Sequence, residues 1–168
     1  MELESKILSR EIQRVLYDTQ KTLGTAESCT GGRIAEAIIA VPGASSYFKG
    51  SIVSYTNDIK EKLLHVDHQV LEEQTAVCEE VAKEMVAGAI QAMDVDFAVS
   101  ATGIAGPGGG TAESPVGTIW IGVGDKHEIK TLLLTEDFGR DINLAIATNK
   151  ALSLLLEFMK EKLGPKGE

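Results

Sequence analysis

The sequence predicts an α/β protein, a three-layer α/β/α sandwich around a mixed sheet of about five strands. Three observations carry this expectation. Short β-rich runs at 21–26, 51–56 and 97–102 alternate with segments of helical periodicity. The third run, Phe97-Ala-Val-Ser-Ala-Thr102, is nearly all apolar, as befits a strand covered on both faces. Two later runs, 116–123 and 128–135, are joined by Gly124-Asp-Lys-His127, a connection short enough to demand an antiparallel hairpin.

Residues 3–20 place Leu3, Ile7, Leu8, Ile12, Val15 and Leu16 at helical spacing with charges between them, which predicts an amphipathic helix. The first strand leads through Thr25-Ala-Glu-Ser-Cys-Thr-Gly-Gly32 into a second helix over 31–40, expected to bury Ile34, Ile38 and Ile39. Val41-Pro-Gly43 stops that helix. After the aromatic loop 45–50, Ser51–Thr56 reads as the second strand. Asn57 is the expected N-cap of a short helix carrying Ile59, Leu63 and Leu64.

A helix-rich link runs on to Met93. Its longest piece starts near Cys78 and aligns Val81, Met85 and Ala89 on one face. A glycine- and proline-rich loop, 103–115, follows the third strand. The last helix, 141–163, is expected to turn Ile142, Ile146, Leu152, Leu155, Leu156 and Met159 inward, leaving 164–168 as a frayed tail. With no internal repeat and no linker, residues 1–168 are expected to form one domain.

Composition narrows the function. A net charge of −9, from 25 acidic against 16 basic residues, disfavours general binding to nucleic acid or an anionic membrane, while leaving room for a local pocket for one small anion. The two cysteines, Cys29 and Cys78, have no zinc-site spacing and read as reduced thiols. The charged N-terminus lacks a signal-like apolar core and no apolar run reaches spanning length, so a cytoplasmic protein is expected.

The candidate chemistry lies at three strand ends: Ser28-Cys-Thr-Gly-Gly32, Tyr55-Thr-Asn-Asp-Ile-Lys60 and Thr102-Gly-Ile-Ala-Gly-Pro-Gly108. If their strands are parallel, these ends share one cleft, where ligands bind in open α/β sheets. A serine at a strand-to-helix turn before two glycines suits either a nucleophile or a phosphate cradle. His65, His68 and His127 are not placed for a Ser-His-Asp triad, and no zinc-hydrolase motif is present.

The better base for Ser28 is Lys60, in the first turn of the helix after Asn57, where helix placement and partial burial both favour a neutral amine. Tyr55 is expected to relay the proton or fix the geometry. Each residue alone has a plainer reading: Ser28 a helix cap, Lys60 a solvated lysine, Tyr55 a packed strand residue.

Together the three segments, with Pro115-Val-Gly-Thr-Ile-Trp120, resemble the CinA C-terminal domain family, which includes nicotinamide-nucleotide amidases. The resemblance runs in order over about residues 5–160. It implies hydrolysis of the carboxamide of nicotinamide mononucleotide to nicotinate mononucleotide and ammonia, in pyridine-nucleotide salvage. It also implies Ser28 as nucleophile, Lys60 as base and Tyr55 as partner, with no metal or cofactor, and on that reading an acyl-enzyme route with N–H groups near Gly31 and Gly32 stabilising the oxyanion. Thr30, Gly31, Gly32, Asn57, Thr102, Gly103, Ala105 and Gly106 would line the substrate, and Arg140 would reach its phosphate. A stand-alone form that assembles as a homo-oligomer is implied as well. The chain departs from the common pattern at Gly108, Ser114 and Gly139-Arg-Asp141, near the substrate loops. Those departures keep two alternatives open: a binding domain that retains the pocket, and an amidase for another small amide.

Overall fold

The computed structural model describes residues 2–164; the expected frayed tail beyond Gly164 lies outside the described residues. Helix α1 (Glu2–Leu16) leads into β1 (Leu23–Glu27), α2 (Arg33–Ile39) and β2 (Phe48–Val53). Three helices follow: α3 (Asn57–Leu64), α4 (His68–Gln74) and α5 (Glu79–Met93). The chain then forms β3 (Phe97–Gly103), β4 (Ile119–Gly124), β5 (Ile129–Leu134) and the long α6 (Arg140–Leu163).

The strands make one mixed sheet in the order β2-β1-β3-β4-β5. β1 pairs in parallel with both β2 and β3, and β4 and β5 add antiparallel as the expected hairpin. Helices α1, α2 and α6 cover one face and α3, α4 and α5 the other, completing the α/β/α sandwich. Strand periodicity divides the core between these layers. Leu23, Phe97, Val99 and Ala101 pack with α6 and α1, whereas Ala26 and Ala98 pack with α5. Because β3 is sandwiched, its run from Phe97 to Thr102 is buried throughout.

Several boundaries differ from the sequence reading. α1 stops at Leu16, and Leu3 and Ile7 face outward, while Leu8, Ile12, Val15 and Leu16 pack on the core. The second strand sits at 48–53, earlier than 51–56: its pairing with β1 opposes Ser51 to Thr25 and runs from Phe48 to Val53. Thr56, not Asn57, holds the N-cap position of α3. β4 begins at Ile119, after the loop has turned back at Gly117. Ile39 and Ile142, both expected inward, are exposed at helix ends. α6 is, by length and composition, apolar enough to cross a membrane, contrary to the expectation that no such run exists. Its apolar window is 61% buried within the fold, as a central core helix requires.

Helix α3 carries a residue of the site, and its seat is set by α5. A Cβ on Gly88 would lie 2.0 Å from the backbone oxygen of Leu64, so only glycine lets the C-terminal end of α3 settle there.

Candidate functional site

Parallel pairing brings the carboxyl ends of β1, β2 and β3 to one edge of the sheet, and the ladder extends one residue past them. The Ser28 N–H donates to the Ala101 carbonyl at 2.9 Å, and the Ser54 N–H donates to the Glu27 carbonyl at 2.8 Å. Both serines are therefore fixed by backbone before any side chain is considered. α3 then returns across this edge and delivers Lys60. The Lys60 Nζ lies 2.9 Å from Ser28 Oγ and 2.9 Å from the Ser54 carbonyl oxygen.

Lys60 is 1% exposed and Ser28 8% exposed. Its hydrogen-bond partners are a hydroxyl and a carbonyl, and no carboxylate pairs with it among the described residues. Desolvation dominates in such a setting and brings the Lys60 pKa down to about 8, with the neighbouring Cys29 thiol pulling weakly the other way. The expected placement of Lys60 beside Ser28 thus agrees with the geometry, with burial as the leading cause of its depressed pKa. The Ser54 hydroxyl is buried and unpartnered beside this pair.

Glu27 is a residue that the sequence reading overlooked. It is fully buried, and six donor groups lie within hydrogen-bond distance of its carboxylate, two of them, the Thr25 and Ser51 hydroxyls, also bonded to each other at 2.6 Å. On Oε1 these are Thr30 Oγ1 at 2.8 Å, the Gly32 N–H at 3.2 Å and the Ile34 N–H at 2.9 Å. On Oε2 they are the Ala35 N–H at 3.0 Å, Thr25 Oγ1 at 3.1 Å and Ser51 Oγ at 3.3 Å. The signal was present in the pattern Thr25-x-Glu27. Alternation along a strand turns both side chains to the α2 face, and the register sets Ser51 beside Thr25.

This web alters the expected oxyanion site. The Gly32 N–H is committed to Glu27, and the Gly31 N–H donates to the Ser28 carbonyl at 3.1 Å. Gly31 and Gly32 instead supply positive φ angles of 57° and 103°, which turn the chain from strand into helix. The N–H groups of Cys29 and Thr30 have no backbone acceptor among the described residues. The buried Cys29 thiol is pushed up to about 11, chiefly by desolvation, so it stays protonated beside the serine.

The remaining predicted residues divide. The Thr30 hydroxyl is spent on Glu27, and Thr102 Oγ1 donates to the Ala76 carbonyl at 2.8 Å, tying β3 to the segment before α5. Gly103 is the last residue of β3, paired with Ile119. The carbonyls of Ala105 and Gly106 are held by Asn143 Nδ2 at 3.0 Å and Arg140 Nη1 at 2.8 Å. Arg140 therefore lies on the loop after β3, with the first turn of α6 clamping that loop. Asn143, also bonded to Asp137 and to the Phe138 N–H, was not anticipated.

Tyr55 is 61% exposed and Asn57 is exposed as well. Neither hydrogen-bonds to Ser28 or Lys60, so the structure does not bring the expected relay together; one residue, Ser54, separates Tyr55 from the end of β2, an edge strand of the sheet. Of the histidines, His68 pairs with Glu61 at 2.7 Å on the surface. Among the described residues, no three His, Cys, Asp or Glu side chains are grouped to hold a metal ion. A cavity of about 560 Å³ lies apart from Ser28, between β4, β5 and α6, and is lined by Ile119, Leu133, Phe138, Asn143 and Ile146.

Comparison with known proteins supplies the family context. The family model of the CinA C-terminal domain matches residues 5–159. A CinA-like protein of Leptospira borgpetersenii is 51% identical over 118 residues, which cover 70% of this chain and 28% of that protein. A CinA-like protein of Cytophaga hutchinsonii is 41% identical over 158 residues, covering 94% of this chain and 38% of that protein. The chain thus spans about a third of the length of such curated relatives. Among solved structures, the competence/damage inducible protein CihA from Agrobacterium tumefaciens superposes with a TM-score of 0.89 at 35% identity, covering 92% of this chain and 94% of that one. A CinA superfamily protein from Escherichia coli gives 0.88 at 36% identity, covering 92% and 90%.

Proposed function

Since the chain belongs to the CinA C-terminal domain family, we propose that it is a serine–lysine amidohydrolase acting on the carboxamide of nicotinamide mononucleotide. The observation that carries this reading is the 2.9 Å approach of a buried lysine to a buried serine at the end of the first parallel strand. A lysine whose pKa lies near 8 is neutral in a useful fraction of molecules close to neutrality, and a neutral amine can take a hydroxyl proton.

In the proposed cycle, neutral Lys60 accepts the Ser28 proton as Oγ bonds to the amide carbon. The N–H groups of Cys29 and Thr30, rather than those of Gly31 and Gly32, stabilise the tetrahedral oxyanion. The Lys60 ammonium then returns its proton to the departing nitrogen, and ammonia leaves an acyl-Ser28. Water, deprotonated by the same amine, attacks the acyl carbon; the bond to Oγ breaks, the Lys60 ammonium returns its proton to Ser28 Oγ, and nicotinate mononucleotide leaves. Arg140, held on the loop after β3 by the Gly106 carbonyl, is assigned to the phosphate. Burial of the dyad without a neighbouring carboxylate partner supports this reading over a solvated surface lysine. A homo-oligomeric, cytoplasmic enzyme without cofactor remains part of the proposal.

The test is ammonia release from nicotinamide mononucleotide by the purified chain, with Ser28→Ala as control. Release by the wild type alone is expected. Calorimetric binding without release would favour a binding domain, and neither heat nor ammonia would move the substrate to a different small amide.

A further inference from the structure

We propose that Glu27 is a positioning residue for Ser28: its buried carboxylate, gathering six donors from β1, β2, the intervening turn and α2, sets the nucleophile in register with Lys60. The inference rests on the reading of Ser28 as nucleophile.

The geometry is specific. Glu27 and Ser28 are adjacent, so strand alternation sends their side chains to opposite faces of the sheet. Glu27 points towards α2, and Ser28 points towards α3 and Lys60. Each carboxylate oxygen bonds to a backbone N–H of α2 and to a hydroxyl; Oε1 takes the Gly32 N–H in addition. The turn from Ser28 to Gly32 is thus held at both ends. Ser28 is pinned through its N–H to Ala101, and Thr30 and Gly32 are pinned through Glu27.

A structural purpose alone would be met more simply. A hydroxyl or amide side chain can cap a helix end, and burying an unpaired carboxylate is among the costlier ways to stabilise a fold. What the carboxylate adds is acceptor capacity. A glutamine in the same place has one acceptor oxygen and must turn an NH₂ toward groups that are themselves donors, two of them on Oε1 backbone N–H groups and one, Ala35, on Oε2. Only a carboxylate accepts from the three backbone N–H groups, from Thr30 and from the hydrogen-bonded Thr25–Ser51 hydroxyl pair together. The turn it holds also carries the Cys29 and Thr30 N–H groups that lack backbone acceptors.

The test measures how fast a fluorophosphonate labels Ser28 across pH, in the wild type, Glu27→Gln and the milder pair Thr25→Val with Ser51→Ala. Thermal unfolding verifies that each variant is folded at the assay temperature. The expected result is a maximal labelling rate about 100-fold lower in Glu27→Gln, with a smaller loss in the double variant. The pH midpoint should stay near the wild-type value of about 8, since the burial of Lys60 is untouched.

A merely structural role would act differently. General loosening would let water reach Lys60 and carry the midpoint up toward the ordinary lysine value. Wild-type rates in a folded Glu27→Gln, or a midpoint that moves upward with the rate, would overturn the proposal. If Glu27→Gln fails to fold, the double variant decides: an unchanged rate there counts against the role, and a lower rate at an unchanged midpoint supports it. A wild-type chain that is not labelled at all would instead sink the reading of Ser28 as nucleophile, so the two failures are separable.

Discussion

At the residue scale, Lys60 links stability and chemistry. Its folded-state pKa of about 8 lies below the ordinary 10.5, so between those values the unfolded chain binds more protons than the native one. Stability from this group therefore rises with pH through that window, and it is lowest below it, where the amine is charged in both states. Lys60→Met is expected to remove that pH-dependent rise and to stabilise the fold at neutral pH by about 1 kcal/mol, the loss of the bond to Ser54 offsetting part of the gain. Denaturant titration at two pH values measures both effects. Turnover should vanish in Lys60→Met and should not return in Lys60→Arg, because a guanidinium stays protonated.

The same scale shows what the sequence could and could not reveal. Ser28 and Lys60 were legible because their strand ends and helix start stood in the pattern. Glu27 was missed because a lone acid in a strand looks like an outward residue until α2 and Ser51 are placed around it. Tyr55 misled in the opposite sense: an aromatic after a strand invites a role, yet here it stands in solvent.

At the element scale, the seat of α3 against α5 positions the base. Gly88→Ala places its Cβ 2.0 Å from the Leu64 backbone oxygen, at the C-terminal end of the helix that carries Lys60. A backbone contact cannot yield as a flexible side chain does, so a loss of about 1–3 kcal/mol is expected. Differential scanning calorimetry tests that loss, and a parallel fall in Ser28 reactivity tests whether α3 has moved.

The loop after β3 depends on α6 in a comparable way, through Arg140 and Asn143. Arg140→Ala is expected to raise KM for a phosphate-bearing amide about tenfold while leaving kcat nearly unchanged, whereas its uncharged nucleoside counterpart should show no such rise. These ties escaped the sequence reading because they join backbone carbonyls at 105 and 106 to side chains more than thirty residues later, a separation that no local periodicity encodes.

At the scale of the whole molecule, the parallel order of β2, β1 and β3 gathers the site at one edge, while the antiparallel β4–β5 hairpin completes the sheet on the side away from β2. This arrangement was legible from short β-rich runs, the apolar third strand and the tight hairpin. Strand limits were less so, because the pairing of Thr25 with Ser51 decides where β2 begins. β3 separates the two core layers, and within the layer under α6 Phe97 packs edge-on against Phe158 at 6.1 Å between ring centres. Phe158→Ala should cost about 3–5 kcal/mol, read as a lower denaturant midpoint.

The fold, its parallel edge and its buried lysine converge on one claim, that Ser28 is activated by a neutral Lys60. The most direct measurement, independent of substrate identity, is the rate at which a fluorophosphonate phosphonylates Ser28 Oγ, with loss of fluoride, as pH is raised. The account predicts a rate that climbs to a plateau with its midpoint near about 8, and that disappears in Ser28→Ala and Lys60→Met. A wild-type protein that does not react, or that reacts at the same rate across that range with Lys60 removed, would contradict it.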